Sequence, residues 1–245
     1  MIEELLPTTA AVAETFGDLP QSVLYPQEKA LVAHSTDERR REFATVRGNA
    51  RKALARLGVP PAPILPGTRG APGWPEGIVG SMTHCIGYRA AAVARAGQLA
   101  AISVDAEPNQ PISNAGMRAL ITIPEERLWL NQLAVRRPDV HWDRLVFSAK
   151  ESVYKAWYPI TGRFLDFDEV MVTVDEDAGT FHARLLVPGP TVDGIRVTAF
   201  SGKWLARRGL LITAIAVPRR TAARTPAFDV SPHTAQRTMY KEQLS

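Results

Sequence analysis

Apolar residues between positions 35 and 58 fall on one helical stripe. Phe43, Val46, Ala50, Leu54 and Leu57 recur at intervals of three and four, the spacing that gathers side chains on one face of a helix. Ser35 and Glu38 have the spacing of a capping box at its start. Gly58, followed by Pro60 and Pro61, stops it. Residues 59–77 hold too much Pro and Gly for a regular element and predict a loop pinned by one Trp. The short apolar runs "IVGSMTHC", "YRAAAVARAG" and "LAAISVDAEP" then read as strands separated by turns. Two helices follow, "PEERLWLNQLAV" and "FSAKESVYKAWYP", with Val146, Ala149, Val153 and Ala156 as the apolar stripe of the second. Four more strand-like runs come after them: "EVMVTV", "FHARLLV", "IRVTAFSGKWLA" and "LLITAIAV". Beyond Pro218 apolar residues become sparse, which predicts a mobile tail over 219–245 outside the core. No repeat of 20–50 residues shows in the pattern.

This order of elements predicts an α+β protein with an N-terminal half over 1–104 and a C-terminal half over 105–218. The chain of 245 residues has 45% hydrophobic and 22% charged residues, as an ordinary globular protein does. No apolar run approaches the roughly 18–20 residues that span a bilayer. The start, "MIEELLPTTAAVAETF", is acidic and lacks the basic and apolar regions of a secretory signal. Cys85 is the single cysteine, so an intramolecular disulfide and a Cys-rich zinc site are excluded. A cytoplasmic location is the expectation. The formal charge of +4 comes largely from two clusters, 37–58 and the C-terminal tail. Arg40, Arg47 and Arg51, spaced by seven and four, share one helix face. That compact pattern suits a small polyanion at least as well as nucleic acid, for which no recognised binding motif is present.

Three segments carry candidate chemistry. In "SVDAEP" an extended strand places Asp105 and Glu107 on the same side. Two such carboxylates repel unless a cation lies between them, and hard oxygen ligands favour Mg2+. The plainer reading is a pair of exposed acids before a proline. In "RLVFSAKESVYKAWYP", Ser148 and Glu151 have the spacing of a cap, and Glu151 and Lys155 that of a surface ion pair. Phe147, Tyr154 and Tyr158 flank the charges, as around a partly covered cleft. Spacing leaves cap, ion pair and site all open. The third segment, "GIVGSMTHC", ends on His84, an imidazole suited to donate to phosphate oxygens. Cys85 beside it reads as a small buried residue.

Taken in order, these segments resemble a 4′-phosphopantetheinyl transferase of the Sfp-like superfamily, more narrowly its enterobactin-synthetase component D (EntD-like) branch. The likeness rests on "RREFATVRGNARKALARLG", "LPGTRGAPGWPEGIVGSMTHC", "SVDAEP" and "FSAKESVYKAWYP" and spans roughly residues 35–217. It implies a pseudo-twofold pair of α/β subdomains with coenzyme A between them. It also implies transfer of the phosphopantetheine arm to a serine of an apo acyl or peptidyl carrier protein, releasing 3′,5′-ADP. By this resemblance Asp105, Glu107 and Glu151 hold Mg2+, for which Mn2+ can substitute. Glu151, or a water it orients, takes the serine proton. Lys155 contacts the pyrophosphate, with Lys150 assisting. His84, Arg40 and Arg47 contact CoA phosphates, with Arg39, Arg51, Arg69, Ser81 and Thr83 as weaker candidates. The carrier is expected to dock beside the cleft, near 105–130 and the "FSAKESVYKAWYP" helix, and a monomer is implied. Three positions depart from the pattern. Pro66 stands where some relatives have lysine, Phe147 replaces a common tryptophan, and Ala106 offers no third carboxylate. The alternative is a non-catalytic CoA- or carrier-binding relative, which would be expected to lose one of the three acids or Lys155.

Overall fold

The computed structural model describes residues 1–20 and 22–220. In chain order the elements are β1 (Ala11–Phe16), α1 (Pro26–Leu31), α2 (Asp37–Arg56), β2 (Ile78–Cys85), β3 (Tyr88–Arg95), β4 (Leu99–Pro108), α3 (Ala115–Ile121), α4 (Pro124–Arg136), α5 (Trp142–Thr161), β5 (Val170–Asp175), β6 (Thr180–Leu185), β7 (Thr191–Val192), β8 (Ile195–Arg196), β9 (Ala199–Arg207) and β10 (Leu210–Pro218). One antiparallel sheet has the order β1-β3-β2 and a second the order β4-β10-β9-β6-β5, while β7 and β8 form a small ribbon. The α+β class expected from the sequence is the class observed.

The alanine-rich β3 explains how these layers fit. Ala91 and Val93 pack towards Ala50, Ala53 and Leu54 of α2. Tyr88, Ala90, Ala92 and Ala94 on the opposite face pack with Ile102 and Val104 of β4 and Ile212 of β10. Small side chains on both faces let a helix and a second sheet approach closely. The outer face of β10, through Leu211 and Ile215, meets Val146, Ala149 and Val153 of α5. Each half thus rests one 20-residue helix, α2 or α5, on an antiparallel sheet.

The halves share a further device. Glu28 of α1 is fully buried. It accepts from the Tyr25 amide, from Arg51 of α2 and from the Ile64 amide at 2.9–3.1 Å. Glu126 of α4 is equally buried and accepts from the Ile123 amide, from Lys150 of α5 and from the Val172 amide at 2.7–3.0 Å. Both acids sit at the third helical position behind a proline. Short segments "YPQE" and "IPEE" carry this correspondence, too brief to stand out as a sequence repeat.

Several expectations change. The N-cap of α2 is Thr36, whose side chain accepts from the Arg39 amide, and not Ser35. Ser148 lies inside α5, which begins at Trp142, so Ser148 and Glu151 do not cap a helix start. "IRVTAFSGKWLA" is not one strand: Val197 donates to the Pro190 carbonyl between β8 and β9. The 104/105 boundary falls within β4, which runs unbroken to Pro108. The loop 59–77 is pinned as expected: Trp74 Nε1 donates to the Gly80 carbonyl at 2.9 Å. A Cβ on Gly80 would meet the Trp74 ring at 2.6 Å, so glycine is required there. Within the expected tail, Arg219 and Arg220 both bond Asp193, and 221–245 lie outside the described residues.

Candidate active site

Across the antiparallel ladder Asp105 of β4 stands opposite Thr213 of β10, and Glu107 opposite Leu211. Residues at these positions face α5. That helix presents a polar stripe to them, Arg144, Ser148, Glu151, Ser152 and Lys155, spaced as i, i+4, i+7, i+8 and i+11. Lys155 Nζ lies 2.6 Å from Asp105 Oδ1 and donates to the Val104 carbonyl at 3.3 Å. Ser148 Oγ donates to Asp105 Oδ2 at 2.8 Å. Thr213 Oγ1 donates to the Ser148 carbonyl at 2.9 Å and lies 2.8 Å from Ser152 Oγ. These buried hydroxyls fix Asp105 as an acceptor and hold its orientation. Arg144 donates to Glu107 at 3.1 Å and to the Gln110 carbonyl at 3.3 Å.

Glu151 is half-buried on the same stripe. Burial raises its carboxyl above the ordinary value, Lys155 opposes that shift, and the Asp105 charge adds to it. Burial, with Asp105 again contributing, pushes Glu107 up to about 7 against the pull of Arg144. Burial is thus the main cause in both acids, and Lys155 beside Glu151 and Arg144 beside Glu107 offset it only in part. Three carboxylates of hard oxygen character fit a divalent cation such as Mg2+ in kind. Among the described residues no three His, Cys, Asp or Glu side chains are already gathered into a metal-binding set. Lys155 and Arg144 engage two of the three acids, so gathering them requires these cations to yield.

At the end of β2, His84 Nε2 lies 2.7 Å from Arg39 Nη1 of α2. Burial and the neighbouring Arg39 lower the imidazole's proton affinity, so the ring is neutral at pH 7 and accepts the Arg39 proton. Arg69, at φ 55°, projects from the 59–77 loop over the Phe164 ring, 5.7 Å from its centroid. Tyr154 and Tyr158 continue that aromatic wall. Burial and nearby acids push the Cys85 thiol up to about 12, which removes it as a nucleophile.

Most of the other sequence candidates serve structural contacts. Lys150 is buried, and its Nζ donates to Glu126 and to the Ile121 and Phe167 carbonyls at 2.8–2.9 Å. It holds α5 to α4 and takes no part in the carboxylate cluster. Arg47 is buried beside Glu28 and donates to the Ile64 carbonyl. Arg51 likewise serves Glu28. Arg40 turns to Asp37 and the Ala33 carbonyl, so the first exposed cation facing His84 is Arg39. Ser81 and Thr83 are buried. Their hydroxyls accept from the Val104 and Ala106 amides at 3.1 and 3.0 Å, joining β2 to β4 where the two sheets meet, and Thr83 Oγ1 also donates to Asp105 Oδ1 at 3.5 Å, at the edge of the carboxylate cluster. The sequence reading leaves out Arg144 and takes Ser148 only as a cap. Their place at intervals of seven and three before Glu151, continuing to Lys155, was the signal available.

The family model for the 4′-phosphopantetheinyl transferase N-terminal domain matches residues 27–94, and that for the 4′-phosphopantetheinyl transferase superfamily matches 101–200. The chain is 60% identical over 220 residues to the 4′-phosphopantetheinyl transferase Svp of Streptomyces mobaraensis, covering 89% of each chain. It is 45% identical over 224 residues to the transferase Npt of Nocardia iowensis, covering 88% of this chain and 99% of that one. It is 43% identical over 223 residues to the transferase PptT of Mycobacterium tuberculosis, covering 88% of this chain and 97% of that one. Family models spanning both halves, together with relatives matched along nearly their whole length, identify the chain as a member of the 4′-phosphopantetheinyl transferase superfamily.

Proposed function

We propose that the chain transfers 4′-phosphopantetheine from coenzyme A to a serine hydroxyl of apo carrier proteins, with Mg2+ as the metal. The observation that carries this reading is the polar face of α5. It sets Glu151 and Lys155 against Asp105, with Glu151 half-buried and its proton affinity raised. A carboxylate with raised proton affinity suits the general base that takes the serine proton. The serine oxygen forms a bond to the phosphorus of the phosphopantetheine arm as the bond to the bridging oxygen breaks, and 3′,5′-ADP departs. Lys155 stabilises the negative charge that grows on that leaving oxygen. A bound divalent cation, held by Asp105, Glu107 and Glu151, would add charge stabilisation at the pyrophosphate. Arg39 and His84 offer donors to the remaining phosphates, and Arg69 closes the aromatic side of the site.

The carrier docks on α3 and α4, where Met117, Leu120 and Leu128 are exposed, 42%, 69% and 72% respectively. Carriers of polyketide, nonribosomal peptide or siderophore synthesis are all suitable acceptors, and the enzyme acts as a cytoplasmic monomer. No helix among the described residues is long and apolar enough to cross a membrane. The test is incubation with CoA, Mg2+ and a panel of apo carriers, read by intact mass. A phosphopantetheine mass gain on the carrier serine, lost on adding EDTA, is expected. CoA binding without transfer to any carrier would favour the non-catalytic alternative.

A further inference from the structure

Glu42 lies on α2 one turn beyond Arg39, an acid in the middle of a basic patch. Its carboxylate faces three cationic or basic groups from three elements. Oε2 lies 3.4 Å from Arg39 Nη1 and 3.8 Å from His84 Nε2, while Oε1 lies 3.0 Å from Arg89 Nη2. Arg89, on β3, is 4% exposed. Its Nη1 donates to the Cys85 and Tyr88 carbonyls of the turn that follows His84, and Nη2 also meets Asp18 at 3.1 Å. The backbone carbonyl of Arg89 is in turn held by the side-chain Nδ2 of Asn49 on α2 at 3.0 Å. The turn carrying His84 and the helix carrying Arg39 are therefore tied to one buried guanidinium: Glu42 links it to Arg39, and Arg39 in turn donates to His84 Nε2.

We infer that Glu42 is a positioning residue: it holds Arg39 in place against His84, as a preformed seat for the phosphates of CoA. The inference rests on the proposed reading of that patch as the phosphate end of the CoA site. An exposed arginine alone loses side-chain entropy when it clasps an anion. A carboxylate anchored to buried Arg89 restrains Arg39 beforehand, which lowers that cost. The consequence is counterintuitive. Deleting a negative charge beside an anion site ordinarily tightens anion binding by removing repulsion. Here the loss of alignment outweighs that gain, and binding weakens.

Calorimetric titration of CoA and, separately, of 3′,5′-ADP into wild type, Glu42→Gln, Glu42→Ala and Arg39→Ala tests this. Steady-state kinetics with a carrier accompany the titrations. Glu42→Gln keeps the shape and an acceptor for Arg89, and serves if Glu42→Ala fails to fold. The expected result is weaker binding of both ligands by a similar factor, about three- to tenfold. KM for CoA rises in parallel and kcat stays within about twofold, because the alignment is already made once CoA is bound. Unchanged or tighter binding in a folded Glu42 variant overturns the inference, as does a fall in kcat at saturating CoA with KM unchanged. If Arg39→Ala also binds CoA as wild type does, the phosphate reading of the patch fails with it. If Arg39→Ala weakens CoA while both folded Glu42 variants do not, the positioning role alone fails.

Discussion

Burial and the Asp105 charge lift the Glu107 carboxyl from 4.5 to about 7 despite Arg144 beside it. A raised carboxyl binds its proton more tightly in the folded chain than in the unfolded one. Its contribution to stability is therefore full below pH 4.5 and is lost as pH rises through about 7. Metal ligation needs the ionised form, so Mg2+ competes with that proton. Metal affinity is expected to increase between pH 6 and pH 8, with proton release on binding at the lower pH. Titration calorimetry in two buffers of different ionisation enthalpy measures both, and pH-independent binding without proton release would contradict the assignment of Glu107. Lys150 makes the opposite case. Its charge is buried against Glu126, and burial lowers its proton affinity while Glu126 opposes that shift. Lys150→Met leaves Glu126 without its buried cation and is expected to cost about 3–5 kcal/mol in urea unfolding. Turnover per folded molecule should remain near wild type. Wild-type stability with turnover abolished would instead return Lys150 to the chemistry. At this scale the sequence displayed which groups were ionisable but not which way they faced: Lys150 and Glu151 are neighbours in the chain and serve different sides of α5.

At the scale of elements, strands β2 to β4 and helices α2, α4 and α5 follow from apolar periodicity and turn residues. Their burial repeats that pattern: Val46, Ala50 and Leu54 on α2, and Val146, Ala149, Val153 and Ala156 on α5, are all buried. Caps were less legible. Ser35 and Thr36 are adjacent candidates, and only backbone geometry decides that Thr36 receives the Arg39 amide. Ser81 and Thr83 enter as CoA-contact candidates through the family resemblance. Their buried hydroxyls bridge two strands, a tertiary contact with no local signature. The short α3 lies in a segment whose apolar residues could equally be core. With Ile121 inside and Leu120 69% exposed, α3 presents an apolar outer face. Leu120→Asp should therefore raise KM for the carrier about tenfold or more. CoA affinity and thermal stability should stay unchanged, as read by carrier titration in the mass assay. An unaltered carrier KM would move the docking surface elsewhere.

For the whole molecule, the recurring arrangement is a long helix on an antiparallel sheet, locked by a buried glutamate from the helix before it. In the first half Glu28 meets Arg51 and Arg47, and in the second Glu126 meets Lys150. The Glu28 and Glu126 ion pairs thus belong to the framework, while the proposed site draws on the polar stripe of α5 and the Arg39–His84 patch. The expected pseudo-twofold pairing accords with this correspondence, although β4 crosses the expected boundary and the β2–β4 hydroxyl bridges stitch the halves together. The central claim is that Glu151 on that stripe is the base for transfer from CoA. Single-turnover transfer to an apo carrier by Glu151→Gln, with CoA binding measured on the same preparation, tests it most directly. The expected result is loss of transfer by about a hundredfold or more with CoA affinity within a few fold of wild type. Transfer at the wild-type rate, with wild-type CoA affinity, would contradict it.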